Sequence, residues 1–281
     1  MIDFLTQIIR WLNVPANAVG EFVFAPIATM PGWLSNTIIS AIVGPIFLLA
    51  FKYTSDQVGY GRAKDSIKAN LLALKLYKDS LAVTLQAQGR VFKGAGMLIV
   101  YATRPMLVTI VPVLLLLGQM AMWYQFRPLE TGEQTTITMK INVDSGKSMP
   151  AVTIIPTEAI EIDSDPVVLA ANGEILWQAR AAKEGTYDLV FQVGDMQVEK
   201  QLSIGTGFIP VSPIRPGWDF ANVLLYPREK PFRHDAIVKS IEIDYPDRIS
   251  KTCGTDWWIG YFFVVSMAVG FLFKPIFKVK I

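Results

Sequence analysis

The chain has 281 residues, of which 52% are hydrophobic, and its 26 basic and 24 acidic residues give a net charge of +2. That hydrophobic share is high for a soluble protein and low for a bundle made only of membrane spans, so about half of the chain is expected outside a membrane. A single histidine excludes a metal site built from several histidines, and a single cysteine excludes an internal disulfide.

Residues 1–30 are predicted to form an external amphipathic segment. Apolar residues recur at helical spacing over 2–12, which predicts an amphipathic helix on the outer membrane surface with Trp11 at headgroup depth. The alternative is the same helix packed on an external domain. A cleaved secretory signal is not expected, because polar residues and a proline interrupt the apolar pattern at Asn13, Pro15, Asn17 and Glu21.

Three apolar segments are long enough to cross a membrane. Each is near the roughly 18 to 20 residues that a helix needs to span about 30 Å of hydrocarbon. The segments are Leu34–Phe51, Pro105–Tyr124 and Trp257–Phe273. They predict transmembrane helices over 31–52 and 105–125, and a third within 257–281 that ends in a basic cytoplasmic tail.

The charges between these segments predict the orientation. Nine basic and three acidic residues lie between Lys52 and Arg104, and a short cationic loop of this kind belongs in the cytoplasm. The tail after the third segment has Lys274, Lys278 and Lys280 and no acid. Residues 126–256 carry thirteen basic and nineteen acidic residues and are placed outside. We therefore expect an integral protein of a prokaryotic inner or cell membrane, with its N-terminus outside and its C-terminus in the cytoplasm.

Residues 53–104 are predicted to form a cytoplasmic helical hairpin. Leucine-rich arms flank a break at Asp79 and Ser80, and Ser80 suits an N-cap. Gly94 and Gly96 are expected to loosen the chain before the second span. The basic residues of this hairpin are Lys64, Lys68, Lys75, Lys78, Arg90 and Lys93.

Residues 126–256 are predicted to form an external antiparallel, Ig-like β-sandwich. Short runs with alternation or with β-branched and aromatic residues are punctuated by glycine. The predicted strands are Thr136–Ile141, Glu174–Ala182, Tyr187–Val193, Gln197–Ile204, Val223–Tyr226 and Ile237–Ile243. Trp177 and Tyr187 form either a ligand platform or part of the core between two sheets, and the usual role of aromatics favours the core.

Few residues are suited to catalysis. His234 is flanked by Arg233 and Asp235, which favours a solvated turn over a catalytic triad. The acidic residues Glu158, Glu161, Asp163 and Asp165 favour a solvated loop over a cation site, because their spacing matches no calcium-binding loop. We expect no enzyme, no cofactor, no metal and no DNA partner.

The predicted spans contain polar residues that allow two interpretations. Asn36, Ser40 and Gly44 share one helical face, as do Ser266 and Gly270. Small and hydroxylated residues at this spacing allow helices to pack closely. Alternatively, they form a partly hydrated groove that receives polar groups of a client segment. The residues of this predicted groove are Asn36, Ser40, Thr109, Gln119 and Ser266.

The order of these elements resembles that of the YidC-type membrane protein insertases, especially their minimal three-span relatives. The stretch Arg104–Leu117, RPMLVTIVPVLLLL, is similar to the segment that opens the second span in those relatives, and Tyr53–Ser55, YTS, stands where the hairpin begins. The resemblance implies a membrane protein that assists insertion or folding as an insertase or chaperone. With the predicted sandwich, the whole chain is expected to be an α+β membrane protein of three transmembrane helices, a cytoplasmic helical hairpin and an external antiparallel β-sandwich. Its partners would be the lipid bilayer, nascent membrane proteins and the ribosome. The alternative is a membrane-anchored structural or binding protein whose external β domain engages an envelope protein.

Overall fold

The computed structural model describes residues 2–27, 29–77, 80–142, 150–249 and 256–279. These residues form an α+β fold with six helices and nine strands. The chain divides into two compact units. The sheet unit comprises Met1–Ser35 and Leu114–Trp258, and the hairpin unit comprises Asn36–Val113 and Ile259–Ile281.

Among the residues that the structure describes, three helices are long and apolar enough to cross a membrane, as predicted. They are α2 (Gly32–Thr54), α4 (Leu81–Tyr124) and α6 (Trp258–Phe277). Helix α4 has 44 residues. At about 1.5 Å per residue it measures about 66 Å, roughly twice the thickness of a hydrocarbon core. The predicted second span is therefore only the C-terminal part of α4.

The hairpin unit pairs α3 (Gln57–Leu76) with the N-terminal part of α4. Asp56 caps α3, because its carboxylate accepts from the amides of Val58 and Gly59 at 3.1 and 2.9 Å. Ser80 precedes α4 directly, and its carbonyl accepts from the amide of Thr84 at 3.0 Å. The predicted break at Asp79 lies outside the described residues.

The arms of the hairpin approach each other at glycines. A Cβ on Gly59 would lie 2.7 Å from the Tyr101 ring, and one on Gly94 would lie 2.6 Å from Ile67. Gly59 precedes Ile67 in α3, whereas its partner Tyr101 follows Gly94, the partner of Ile67, in α4. The two arms are therefore antiparallel. The prediction that Gly94 and Gly96 loosen the chain is wrong, because α4 continues through both. At Gly94 the close approach of Ile67 outweighs the low helix propensity of glycine.

Helix α2 packs closely on α6 within the hairpin unit. A Cβ on Gly44 would lie 2.3 Å from the carbonyl oxygen of Ser266 and 3.2 Å from the amide nitrogen of Gly270. The hydroxyls of Thr37 and Tyr261 share a hydrogen bond of 2.7 Å. Only a residue without a side chain fits the Gly44 position, which is typical of close contacts between apolar helices.

The sheet unit contains two antiparallel sheets. Its strands are β1 (Gln134–Ile141), β2 (Val152–Ile154), β3 (Ile160–Ile162), β4 (Val167–Leu169), β5 (Glu174–Ala181), β6 (Gly185–Val193), β7 (Met196–Ile204), β8 (Ile214–Arg215) and β9 (Val238–Ile243). One sheet has the order β3-β5-β1-β9-β8, with β4 also paired to β5, and the other has the order β2-β6-β7. Five of the six predicted strands are confirmed.

The prediction of a strand over Val223–Tyr226 is wrong. Most of that run belongs to α5 (Phe220–Leu225). The carboxylate of Asp219 accepts from the amide of Asn222 at 3.0 Å and caps this short helix. Local capping therefore overrides the β propensity of the valine, leucine and tyrosine side chains.

The core of the sheet unit lies between the two sheets. Trp177 from β5 is 2% exposed, and its ring meets the ring of Phe191 from β6 edge to face at 5.7 Å. This contact confirms the core interpretation of Trp177. Tyr187 packs at the margin of the core, and its hydroxyl donates to the carbonyl of Glu184 at 3.0 Å.

Helix α1 (Ile2–Ile27) is longer than the predicted 2–12 and continues through Pro15. On one face, the amides of Asn13 and Asn17 donate to the carbonyls of Val223 and Pro227, each at 2.7 Å. Two of the four interruptions in the apolar pattern, Asn13 and Asn17, are therefore contacts with other parts of the sheet unit. Large apolar side chains elsewhere on the helix stay exposed, including Phe4, Trp11, Val14 and Phe22. One face of α1 is packed and other positions carry exposed apolar side chains, so features of both interpretations of this segment occur on the same helix.

Candidate functional site

Four of the five residues predicted to line a groove make hydrogen bonds inside their own helices: Asn36, Ser40, Thr109 and Ser266. Asn36 and Ser40 are fully buried, and the Ser40 hydroxyl lies 2.7 Å from the Asn36 carbonyl and 3.2 Å from its side-chain oxygen. Thr109 donates to the carbonyl of Pro105 at 2.9 Å, and Ser266 donates to that of Phe263 at 3.2 Å. Such bonds satisfy hydroxyls in apolar surroundings. The groove stays a prediction, and these contacts are those of packed helices.

Gln119 belongs to the sheet unit and joins α4 to α1. Its side-chain amide donates to the side-chain oxygen of Asn17 at 2.6 Å. A Cβ on Gly20 would lie 2.3 Å from the Gln119 side-chain oxygen, so α1 passes close to α4 at this point. The polar character of Gln119 thus has a local structural explanation.

The predicted basic residues of the hairpin lie in different surroundings. Arg90 and Lys93 line a cleft of about 390 Å³ between the arms, together with Arg62. Lys68 and Lys75 are exposed on α3, and Lys64 is half-buried. Lys78 lies outside the described residues.

Exposed apolar side chains surround the turn of the hairpin. We call this set the hairpin tip. All are at least half exposed, and Leu81 is 78% exposed: Leu71, Leu72, Leu76, Tyr77, Leu81 and Leu85. Exposed apolar side chains grouped at one end of a hairpin are typical of a surface that contacts a protein or a membrane.

The sheet unit contains a polar cleft that the sequence reasoning missed. It has a volume of about 360 Å³. Helices α1 and α4 form one side, and strands β6 to β8 with residues 228–230 form the other. Its lining residues are Asn17, Glu21, Gln119, Met122, Trp123, Asp188, Glu199, Gln201, Arg215, Arg228, Glu229 and Lys230.

A buried ion pair adjoins the polar cleft through Glu229, which is one of the lining residues. Lys200 is fully buried, and its ammonium donates to the Glu229 carboxylate at 2.6 Å and to the carbonyls of Ser212 and Gln201 at 2.6 and 3.0 Å. The Glu229 carboxylate also accepts from the Ser212 hydroxyl at 2.5 Å and from the backbone amide of Gln201 at 3.0 Å. Burial lowers the pKa of Lys200, and the Glu229 charge opposes that shift. All three ammonium protons have acceptors, so the pair fixes β7 to the segments around residues 212 and 229.

The two arginines of the cleft differ in how many of their nitrogens make hydrogen bonds. Arg215 lies 4.4 Å over the Phe232 ring and donates to the carbonyls of Glu199 and Lys230. Arg228 donates through Nε to the side-chain oxygen of Gln201. Within the described residues, its terminal nitrogens make no hydrogen bond. Burial lowers the pKa of Arg228, while the nearby charge of Glu21 raises it.

Strand alternation is the sequence signal that could have located this site. Lys200 lies two residues before Leu202 and four before Ile204, on the inward face of β7. A lysine in phase with core residues requires a buried partner. The run Arg228-Glu229-Lys230 supplies the carboxylate.

The other polar residues considered from the sequence lie on the surface. Glu158 pairs with Lys183 at 2.6 Å, and Asp163 pairs with Arg180 at 3.3 Å. His234 is exposed. Among the described residues, no group of three or more histidine, cysteine or acidic side chains is placed to hold a metal ion.

No protein-family model, no curated protein and no solved structure matches the chain. Three features of the chain are candidates for a function. They are the hairpin tip, the polar cleft and strand β4, whose three side chains are all exposed.

Proposed function

We propose that the chain is an integral membrane protein with insertase-like or chaperone-like activity. In this role the hairpin tip holds apolar segments of membrane proteins during insertion or folding. The observation that carries the proposal is the exposed apolar surface of the tip on a cationic hairpin. The corresponding orientation has the N-terminus outside and the C-terminus in the cytoplasm of a prokaryotic inner or cell membrane.

The leucines of the tip need an explanation that membrane topology does not provide. Cytoplasmic loops require basic residues, but they have no need of exposed leucine. Covering apolar surface yields about 25 cal/mol per Å², so Leu76 and Leu81, at 67% and 78% exposure, offer binding energy to an apolar partner. Leucine-rich helical surfaces bind apolar helices through such contacts.

The length of α4 separates the tip from the predicted span. The stretch from Leu81 to Arg104 covers about 36 Å at 1.5 Å per residue. The basic cleft formed by Arg62, Arg90 and Lys93 lies along the hairpin between the tip and the span. Its charge suits anionic lipid or ribosomal RNA beside a nascent chain.

Site-specific photocrosslinking tests this proposal. A photoreactive residue at Leu76 or Leu85 should form adducts with a ribosome-bound nascent membrane protein. Gln86 is an exposed neighbour of Leu85 on another side of α4 and is the matched control position, where we expect few adducts. Equal yields from all three positions, or none, would contradict the proposal. Probes at Asn36, Ser40 and Gln119 test the groove separately, since client adducts there require a hydrated, open surface.

A second candidate function is binding of an envelope protein by the sheet unit. Strand β4 pairs with β5, and its three side chains, Val167, Val168 and Leu169, are all exposed. An exposed apolar strand at a sheet edge is a surface for strand addition. Val168→Lys should abolish capture of an envelope protein in cells while leaving adducts at the hairpin tip unchanged. Unchanged capture would refute a role for β4.

A further inference from the structure

The polar cleft lies beside the end of the predicted second span. Gln119, Met122 and Trp123 of its lining belong to the last two turns of α4. Trp123 packs on Phe24 and Phe208 at centroid distances of 5.7 and 5.8 Å, which makes this wall rigid. If α4 crosses the membrane, these residues lie at headgroup depth, where tryptophan is enriched.

The cleft offers an unoccupied guanidinium. Arg228 is held by its Nε bond to Gln201, while its terminal nitrogens make no hydrogen bond within the described residues. Glu229, the adjacent residue, is already occupied by Lys200, Ser212 and the Gln201 amide. A planar guanidinium with two available terminal NH₂ groups matches a phosphate or a carboxylate.

The cleft also offers carboxylates that make no hydrogen bond or ion pair in the described part of the chain, although Asp188 and Glu199 act electrostatically on Arg215. Glu21 interacts electrostatically with Arg228, yet the two form no direct ion pair. Asp188 and Glu199 line the same space, and neither side chain makes a hydrogen bond or ion pair in the described part of the chain. Carboxylates in such a position match a primary ammonium, which has three donors.

The balance of charge selects the ligand class. Three cationic side chains and four carboxylates line the cleft, and one of these carboxylates, that of Glu229, is paired with the buried ammonium of Lys200. A purely anionic ligand would meet the carboxylates, and a purely cationic ligand would meet the guanidinium. A ligand carrying both charges satisfies both sets. The volume of about 360 Å³ is at the small end of ligand sites, which suits a headgroup.

We propose that the polar cleft binds a phosphoethanolamine group, with the phosphate on Arg228 and the ammonium near Glu21, supplied by a phospholipid of the outer leaflet. The apolar side chains of Met122 and Trp123 lie where the glycerol and first methylenes would follow. Because Trp123 is already packed on Phe24 and Phe208, it is poorly placed to cap a quaternary ammonium. Ethanolamine is therefore preferred over choline.

Lipid retention by the intact protein tests the proposal. The full chain is purified in detergent, exchanged into vesicles of phosphatidylethanolamine, phosphatidylcholine or phosphatidylglycerol, re-extracted and examined by native mass spectrometry. We expect one retained phosphatidylethanolamine and at least tenfold less of the other two lipids. Arg228→Gln should lower that retention at least tenfold. Arg233→Gln, which changes an exposed arginine of the same unit, should leave it unchanged.

A second variant separates ligand binding from folding. Glu21 is exposed, so Glu21→Gln should fold normally and should lose the preference for phosphatidylethanolamine over phosphatidylglycerol. Calorimetry with glycerophosphoethanolamine distinguishes the source. Binding of this soluble probe supports the headgroup site and shows that acyl chains are not needed, while retention of the lipid alone shows that they are. Equal retention of all three lipids, retention unaffected by both variants, or a co-purified peptide in place of lipid would overturn the proposal. These outcomes are independent of crosslinking at the hairpin tip.

Discussion

Removal of the Glu229 charge should weaken the sheet unit selectively around β7. In Glu229→Gln, the ammonium of Lys200 stays fully buried but loses its only carboxylate partner in the described structure. Breaking a buried pair from one side costs about 3 to 5 kcal/mol. Because glutamine keeps one acceptor oxygen, we expect about 3 kcal/mol, which is a roughly 150-fold increase in the opening constant.

Hydrogen–deuterium exchange measures this change without unfolding the apolar helices. Peptides covering Met196–Ile204 should exchange roughly 150-fold faster in the variant under conditions where exchange reports the opening equilibrium. Lys200→Met should also lower protection, because it leaves Glu229 buried without its cation. In the double variant, protection should recover by at least about 1.5 kcal/mol relative to the sum of the two single changes.

A surface pair provides the matched control. Lys183 and Glu158 are also 2.6 Å apart, but their side chains are 61% and 80% exposed. Glu158→Gln should leave β7 protection unchanged, since exposed ion pairs contribute little. If Glu229→Gln changes β7 exchange no more than Glu158→Gln does, burial does not set the energy of the pair and the reasoning is refuted.

The pH dependence gives a second readout of the same variant. Without Glu229, burial lowers the pKa of Lys200 further below its ordinary value of about 10.4. The unfolded chain then binds the proton more tightly than the folded one. Stability should therefore rise as pH increases from the folded pKa toward about 10.4, and the deficit should be largest below that window.

Three further predictions concern other parts of the chain. Gly44→Ala should overpack the α2–α6 contact and lower stability in detergent by about 1 to 3 kcal/mol. In the control Gly89→Ala the added methyl meets no other atom, so the better helix propensity of alanine should raise stability by up to about 1 kcal/mol. Equal effects of the two changes would contradict the α2–α6 contact. Cys253, the only cysteine of the sequence, should react with a membrane-impermeant maleimide on intact cells. In the double variant Cys253→Ser, Ser66→Cys, the new cysteine should react only after the cells are permeabilised. The opposite pattern would show that the predicted topology is inverted. The side-chain hydrogen bond with Arg127 lowers the pKa of Glu133. The stability that this pair contributes is lost as pH falls below the ordinary glutamate pKa of about 4.3 toward the folded pKa. Glu133→Gln should therefore make the melting temperature depend less steeply on pH in this acidic range, and an unchanged slope would contradict this.

The regular elements of the fold could be predicted because their patterns are long. Eight- and nine-residue strands such as β5 and β7 show alternation, and apolar runs near twenty residues identify helices. Strands β2, β3, β4 and β8 have two or three residues, which is too short for a pattern to show. Their positions depend on pairing with longer strands.

The candidate sites were less predictable because they depend on contacts distant in sequence. Asn13 and Asn17 looked like interruptions of an amphipathic helix, but they bind carbonyls 210 residues away. Gln119 looked like a groove residue, and its partner lies 102 residues away. The polar cleft combines residues from 17 to 230, so single-segment patterns do not reveal it.

The buried lysine also bears on how the β6–β7 hairpin avoids misalignment. A slip of β7 by one residue would turn Lys200 to solvent and Glu199 inward, because successive side chains face opposite sides of a strand. The carboxylate of Glu199 would then approach that of Glu229, and attraction would become repulsion. The inward-facing charge of Lys200 therefore raises the free energy of a register shifted by one residue. Hydrophobic residues alone would raise it by less.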